Sequence, residues 1–474
     1  MDLKQLKPSR KLDAPIYLQL YRRYREAITS GKLRPGDRVP SVRSLASELG
    51  LARGTIEVAY QMLAGEGYFT ARGAAGTIVS PGVGSLAEPS PVRLAVPAVH
   101  SSSRPQIVAG AALPFQLGLP ALDAFPRKTW ARLAVRSLRS LEAAAMNYPD
   151  PAGYEPLRRA IASYLGVSRG IVCSPDQVFV TAGYTGALEL VYRTLLQKGD
   201  QGWYEDPGYI FARQFLQRAG MRLEPVPVDE EGLDVGIGRQ RAARARFVVV
   251  TPTHQSPTGA ALSLQRRLEL LEWARLGGAW IVEDDYDSEF RYQGRPLPAL
   301  KSLDRDERVL YTGTFSKVLF PGLRLAYLVV PTAQVGKFRD TVNHLSGAGS
   351  IMPQAAVASF MEQGHFARHL RKMRTLYKTR HGYLVDALAQ TVGKRLQVQP
   401  QAGGIHVLAT MKGGQKDKAV AAAAQAQGLA VQALSDWRLG KSSQGGLLMG
   451  FANFATAEEA MASVRRLEAV LAKH

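Results

Sequence analysis

The chain has 474 residues, 46% hydrophobic and 21% charged, enough for a large core and too apolar for wholesale disorder. No apolar run approaches the roughly 20 residues of a membrane-spanning helix and the opening residues 1–5 lack a signal-peptide core, so a soluble cytoplasmic protein without a membrane partner is expected. Cys173 is the one cysteine, which excludes an internal disulfide, and 60 Lys and Arg against 40 Asp and Glu give a formal charge of +20, which favours a polyanionic partner.

In chain order, Tyr17, Leu20, Tyr21, Tyr24 and Ile28 recur at helical spacing, and Gly31 suits a stop. GKLRPGDRVP reads as a loop. Ser41 is an N-cap for a short helix with Leu45, Ala46 and Leu49 on its apolar face, ended by Gly50. Ile56, Ala59, Tyr60 and Leu63 predict a third helix from about Ala52. Two helices on a short turn make a helix-turn-helix, and YFTAR and TIVS around Gly73–Gly76 make a hairpin wing. The start of the third helix would enter the major groove. Arg53 and Thr55 lie there and Arg43 projects from the helix before it, and arginine suits bidentate contact with guanine. Residues 1–80 carry only 13 basic against 7 acidic side chains, so the motif rather than local charge points to DNA.

These residues, most specifically GKLRPGDRVPSVRSLA, RGTIEVAYQML and EGYFTARGAAGTIV, resemble the winged-helix domain of the GntR family. The resemblance implies double-stranded operator DNA as partner. Arg43 and Arg53 would read bases, Thr55 would support them, and the wing glycine Gly76 would enter the minor groove. Ala52 departs from the pattern, because a capping Ser or Thr is common at that position.

From Pro81 to Pro114 the text is rich in Pro, Ser, Gly and Ala without a sustained period, and reads as a linker between residues 1–80 and 115–474. Beyond it, helical patterns alternate with buried-strand runs at FVVVTP (247–252), AWIVEDD (279–285) and RVLYTG (308–313), so an α/β layer with a mainly parallel sheet is expected.

Four fragments of this second part carry chemistry. TAGYTGALEL (181–190) follows an apolar run and opens a helix, so Gly183, Tyr184 and Thr185 can present backbone N–H groups to a phosphate. In WYEDPGYIF (203–211) a proline turn presents Tyr209 face-on to an aromatic group. AWIVEDDYDSEF ends a buried strand in acids at the ligand edge of such a sheet. A buried carboxylate there needs a cationic or hydrogen-bonding partner, and no His stands at metal-ligand spacing. YTGTFSKVLFPGLRLAY (311–327) places Lys317 after a strand, where an amine of lowered pKa forms imines, with Arg324 seven residues on to pair with a phosphate.

Together these are the needs of pyridoxal 5′-phosphate, and their order resembles that of fold-type I enzymes from about Phe115 onward, in NYPDPAGYEPLRRAIASYL, YEDPGY, TPTHQSPTG, VEDDYDSEF and TFSKVLFPGLRLAY. A GntR winged helix joined to an aminotransferase-like domain, with a small C-terminal α/β subdomain, resembles the MocR subfamily of transcriptional regulators. The resemblance implies Lys317 as the Schiff-base lysine, Asp284 on the pyridine nitrogen, Tyr286 on the ring hydroxyl and Tyr209 stacked on the ring. Gly183, Tyr184, Thr185, Thr314, Ser316 and Arg324 would surround the phosphate, and Tyr148 would reach it from the second subunit of a homodimer. Two departures from the aminotransferase pattern stand out, of which the first fits a sensor better than a catalyst. Ser256 precedes the proline of TPTHQSPTG where aminotransferases carry Asn, and GGLLMGFANF (445–454) lacks their carboxylate-binding Arg, for which Arg438 is the nearest substitute toward an amine effector. The expected function is regulation by pyridoxal phosphate or an amino compound acting at Lys317. A working aminotransferase with an appended DNA-binding domain is the alternative, and an architectural DNA binder that has lost the cofactor is a weaker one.

Overall fold

Two compact units, Met1–Val108 and Ala109–His474, make up the computed structural model. It describes residues 8, 14–82, 112–141, 147–292, 294, 297–345, 349–412, 416–440 and 444–473. Residues 83–111 of the expected linker lie outside this set.

In the small unit the helical spacing becomes a helix at Ile16–Thr29 that buries Leu20, Tyr21, Tyr24, Ala27 and Ile28. The helix Val42–Leu49 is capped by the Ser41 side chain, which accepts the Ser44 N–H at 3.1 Å, and ends at Gly50 in the left-handed region. The helix Arg53–Gly65 starts from Ala52 with no side-chain cap. The wing strands Phe69–Ala71 and Thr77–Val79 pair antiparallel, and a third strand, Arg38–Val39, pairs with Thr77–Val79 inside the stretch expected to be loop. Arg38 continues this link by donating from Nη2 to the Ala75 carbonyl at the wing tip, 2.7 Å away. Tyr24, Tyr60 and Phe69 meet edge-on at centroid distances of 5.7, 5.3 and 5.1 Å and tie helices to wing.

The large unit is built on an eight-stranded sheet in the order Val178–Thr181, Ala326–Val329, Val309–Thr314, Trp280–Asp285, Phe247–Val250, Gln201–Asp206, Arg222–Asp229, Gly232–Leu233. The five strands from Val309–Thr314 to Arg222–Asp229 run parallel, which explains their near-continuous apolar text. Ala326–Val329 runs antiparallel to both its neighbours, so the sheet is mixed. This insertion positions the site. Asp284 stands level with Thr312, Thr314 with Ala326, and Ala326 with Thr181, so the ends of the chemistry-bearing strands fall on one sheet edge. A second, antiparallel sheet is formed by Leu396–Val398, His406–Met411, Gly446–Gly450 and Gln432–Ala433. The helices His365–Val392, Asp417–Ala426 and Ala457–Leu471 accompany it in the C-terminal part, burying Tyr377, Leu384, Val420, Val464 and Leu467. Among the described residues no helix is long and apolar enough to cross a membrane.

The uncapped start at Ala52 yields a direct test. Ala52→Ser should stabilise the small unit by about 1 kcal/mol, read as a higher denaturation midpoint for its transition, because it offers an acceptor to the Gly54 N–H, the Thr55 N–H being already bonded to the Ala52 carbonyl at 3.0 Å. An unchanged midpoint would mean that the Gly54 N–H already has a partner.

Candidate functional site

The strand Val178–Thr181 turns through Ala182 and Gly183 into the helix Tyr184–Leu195. Gly183 has φ +83°, and a Cβ there would sit 3.2 Å from Arg324 Nη2, so glycine lets the guanidinium approach the helix start. Arg324 Nη2 donates to the Ala182 carbonyl at 3.4 Å. Among the described residues the Tyr184 and Thr185 N–H groups have no backbone partner, and together with the positive helix end and the exposed Arg324 guanidinium they could receive an anion. Arg324 itself adopts φ +52°, a conformation disfavoured for a side-chain-bearing residue and held by its N–H to the Pro321 carbonyl at 3.1 Å. Thr314 caps the short helix Phe315–Val318 by accepting the Ser316 N–H at 3.1 Å, which puts both hydroxyl residues ahead of Lys317.

Glu283, Asp284 and Asp285 are all buried at the end of the strand Trp280–Asp285, and alternation sends the middle one to the opposite face. Glu283 accepts the N–H groups of Leu300 and Lys301, each at 2.8 Å, though burial still pushes it up to about 7. Burial would raise Asp285 too, but Arg169 Nε at 2.8 Å outweighs it and holds the carboxyl below its usual range, with help from the Tyr311 hydroxyl at 2.5 Å. Asp284 has no ion pair among the described residues. Burial pushes it up to about 8, and the Tyr184 hydroxyl, buried beside it without a well-formed hydrogen bond, offsets this only in part. Two of the three acids are therefore structural, and Asp284 is the one left open to a cationic ligand.

The Lys317 amine donates to the Gly118 carbonyl at 2.8 Å. A Cβ on Gly118 would stand 2.5 Å from Nζ, so any other residue there would displace the lysine. Burial lowers the amine's hold on its proton, against the fields of Asp287 and Asp284, and this favours the nucleophilic form. Tyr209 lies within the electrostatic reach of Asp284 and Arg324, its ring 6.0 Å from that of Tyr184 and 5.9 Å from that of Trp437. The Tyr286 hydroxyl faces Ser256 and lies 3.0 Å from His254 Nδ1. Arg438 follows Trp437 in a loop held by Arg213, which donates to the Arg438 carbonyl at 2.9 Å, and its buried Nε has no partner among the described residues. Tyr148 is 98% exposed and does not join the site of its own chain. Sequence reasoning had no reason to flag Gly118, and it left His254 and Asp287 without a role, although a histidine in TPTHQSPTG was a usable signal.

In the small unit Arg43, Arg53 and Gly76 are exposed and Thr55 is half-buried, and neither arginine makes an ion pair among the described residues. Arg53 opens its helix, and Gly76 closes the turn Gly73–Ala75 at the wing tip.

Residues 16–79 match the family of bacterial regulatory proteins of gntR type, and residues 122–447 match aminotransferase class I and II. The chain is 36% identical to the probable rhizopine catabolism regulatory protein MocR of Rhizobium meliloti over 96% of this chain and 94% of that one. It is 33% identical to the pyridoxine biosynthesis transcriptional regulator PdxR of Corynebacterium glutamicum over 91% of each. Kynurenine aminotransferase of Pyrococcus horikoshii superposes with a TM-score of 0.70 at 26% identity, over 77% of this chain and 92% of the enzyme. Fold and site define a helix-turn-helix transcriptional regulator with an aminotransferase-like domain. Within that class, the chain belongs to the MocR-type regulators of the GntR family.

The isolation of Asp284 has a consequence for the cofactor-free protein. Its folded carboxyl titrates near 8 and the unfolded one near 4, so the folded state holds the extra proton and stability falls as pH rises through that window. Asp284→Asn should raise the melting temperature over wild type by a few degrees at pH 8, and the gain should vanish at pH 4. An equal gain at both pH values would mean that Asp284 is not the unpaired charge.

Proposed function

We propose that the large unit holds pyridoxal phosphate on Lys317 and that the state of this group, free or condensed with an amino compound, controls operator binding by the winged helix. The observation that carries the reading is Asp284, a buried carboxyl with no ion pair among the described residues, set on the same sheet edge as an amine whose hold on its proton is weakened by burial and a turn that can receive an anion. These residues fit the cofactor. Asp284 would pair with the ring nitrogen, Tyr286 would bond the ring hydroxyl and Tyr209 would cover the ring. The turn at Gly183, Tyr184 and Thr185, with Thr314, Ser316 and Arg324, would hold the phosphate. When bound, the group supplies an aldehyde that condenses reversibly with primary amines.

The fully exposed Tyr148 supports a homodimer in which it completes the partner's site. The orphaned Arg438 Nε supports a role in receiving an effector carboxylate. Ser256 in place of Asn favours sensing over turnover in the cytoplasm. The working-aminotransferase reading draws on one specific finding, a 29% identity to aromatic-amino-acid aminotransferase 1 of Thermococcus litoralis over 66% of the chain. On the DNA side, Arg43 and Arg53 would read base edges, with Thr55 supporting them and Gly76 in the minor groove.

Purified protein should be yellow, and borohydride should fix the cofactor covalently to wild type but not to Lys317→Ala. A trapped adduct in the alanine protein would place the Schiff base elsewhere. Arg53→Ala should cost about 1–3 kcal/mol on operator DNA and little on random DNA. Equal losses on both would make Arg53 a phosphate contact.

A further inference from the structure

The strongest unassigned feature is a chain of three side chains beside Lys317, the buried His254 and Asp287 and the half-buried Tyr286. His254 Nδ1 lies 2.9 Å from Asp287 Oδ1 and 3.0 Å from the Tyr286 hydroxyl. His254 and Asp287 are 6% and 1% exposed. Asp287 Oδ2 has no partner, so His254 is the one hydrogen-bond donor to this carboxylate among the described residues. A buried carboxylate with a single donor fixes the imidazole tautomer, because an unprotonated Nδ1 would set a lone pair against the carboxylate oxygen. The proton is therefore on Nδ1, where it is shared between Asp287 and the Tyr286 oxygen. Tyr286 is then an acceptor on its His254 side, and its own hydrogen must point away, toward Ser256 and the mouth of the site.

We propose that His254 and Asp287 form a positioning dyad that commits Tyr286 to donating its hydroxyl hydrogen to the ring oxygen of the cofactor, in a site where Ser256 stands in place of the usual Asn. The proposal rests on the reading that pyridoxal phosphate binds with its ring hydroxyl at Tyr286. Its effect follows from competition for one oxygen. The ring oxygen is more basic when the Schiff-base nitrogen carries no proton, because a protonated nitrogen already bonds it internally. A donor at Tyr286 therefore favours the unprotonated Schiff base and lowers the pH at which its proton is lost.

The other ionisable groups facing this chain among the described residues include Glu205, Asp284, Tyr292, His406 and Lys317, and Arg291 lines a small cavity with His254 and Asp287. Tyr292 stays neutral, since burial pushes its hydroxyl well above its usual range, and both it and Arg291 are unchanged in every variant below. Burial lowers His406 to about 4, and it is occupied with the Pro257 carbonyl at 3.0 Å, so it stays neutral across the range of interest. Burial pushes Glu205 up to about 7, where it accepts from the Thr251 hydroxyl at 2.6 Å and Gln255 Nε2 at 3.0 Å. Glu205 and Asp284 are present in every variant below and cancel in comparison. Asp287 is left unsubstituted, because removing its charge would itself disturb Lys317.

The test is a pH titration of the visible spectrum of the full-length protein loaded with pyridoxal phosphate. Tyr286→Phe and His254→Leu should each raise the spectral midpoint by about one pH unit. In the Tyr286→Phe background, His254→Leu should add nothing, since it acts through that hydroxyl. His254→Asn, which can keep an N–H near the Nδ1 position, should stay near the wild-type midpoint, whereas His254→Gln, close in volume but without that donor, should shift. The glutamine protein carries the comparison if the leucine protein does not fold. A shift in Tyr286→Phe with wild-type midpoints in His254→Leu and His254→Gln would overturn the dyad and leave the cofactor reading standing. A wild-type midpoint in Tyr286→Phe would overturn the placement of the ring hydroxyl, and the dyad with it.

Discussion

Burying a carboxylate without a cation is among the costlier things a fold can do, and Asp284 is left in that condition at the end of the strand Trp280–Asp285. Its neighbours show that the fold has the means to avoid this. Glu283 is met by two backbone amides and Asp285 by Arg169, which also reaches Glu289 at 2.9 Å. The cost is retained at one position, where the strand ends turn toward Lys317, Tyr209 and the Gly183 turn. Under the proposed function, a cationic ring would offset this cost and so be bound selectively, which is the sense in which a perturbed carboxyl without an ion pair is a candidate for a functional group.

The large unit delivers these groups to one place by strand order. Parallel strands end at a common edge, and the antiparallel Ala326–Val329 between Val178–Thr181 and Val309–Thr314 brings the Gly183 turn, Arg324 and Lys317 to that edge. Gly118 is the counterpart on the lysine side. Its carbonyl holds the amine across 199 residues of sequence, and its missing Cβ leaves room for it.

The sequence made the local features legible and hid the distant ones. Ser41 and Gly50 announced their helix, and TAGYTG announced its turn, because caps and strand-to-helix turns are written in adjacent residues. Alternation along VEDD separates Asp284 from its neighbours, but only the partners of Glu283 and Asp285 show which face is left open. The pairing of Arg169 with Asp285 spans 116 residues and that of His254 with Asp287 spans 33, and no periodicity encodes such contacts. The two-residue strand Arg38–Val39 was invisible for a different reason: it exists only because Thr77–Val79 offers it an edge. The antiparallel course of Ala326–Val329 was likewise set by its neighbours, since a short apolar run carries no direction.

A regulator requires that chemistry in one unit alter DNA affinity in the other, a coupling free energy between two sites. Dimerisation would supply leverage, because two heads must meet two half-sites at a fixed helical phase. The most direct test is the affinity of the full-length protein for a two-part operator at one fixed salt concentration, measured without cofactor, with pyridoxal phosphate, and with cofactor plus a panel of primary amines. The account predicts a change of about tenfold or more, on the order of 1.4 kcal/mol, between at least two of these states in wild type and none in Lys317→Ala. Equal affinity in every state, together with efficient amino transfer to a keto acid, would contradict it and make the large unit an enzyme.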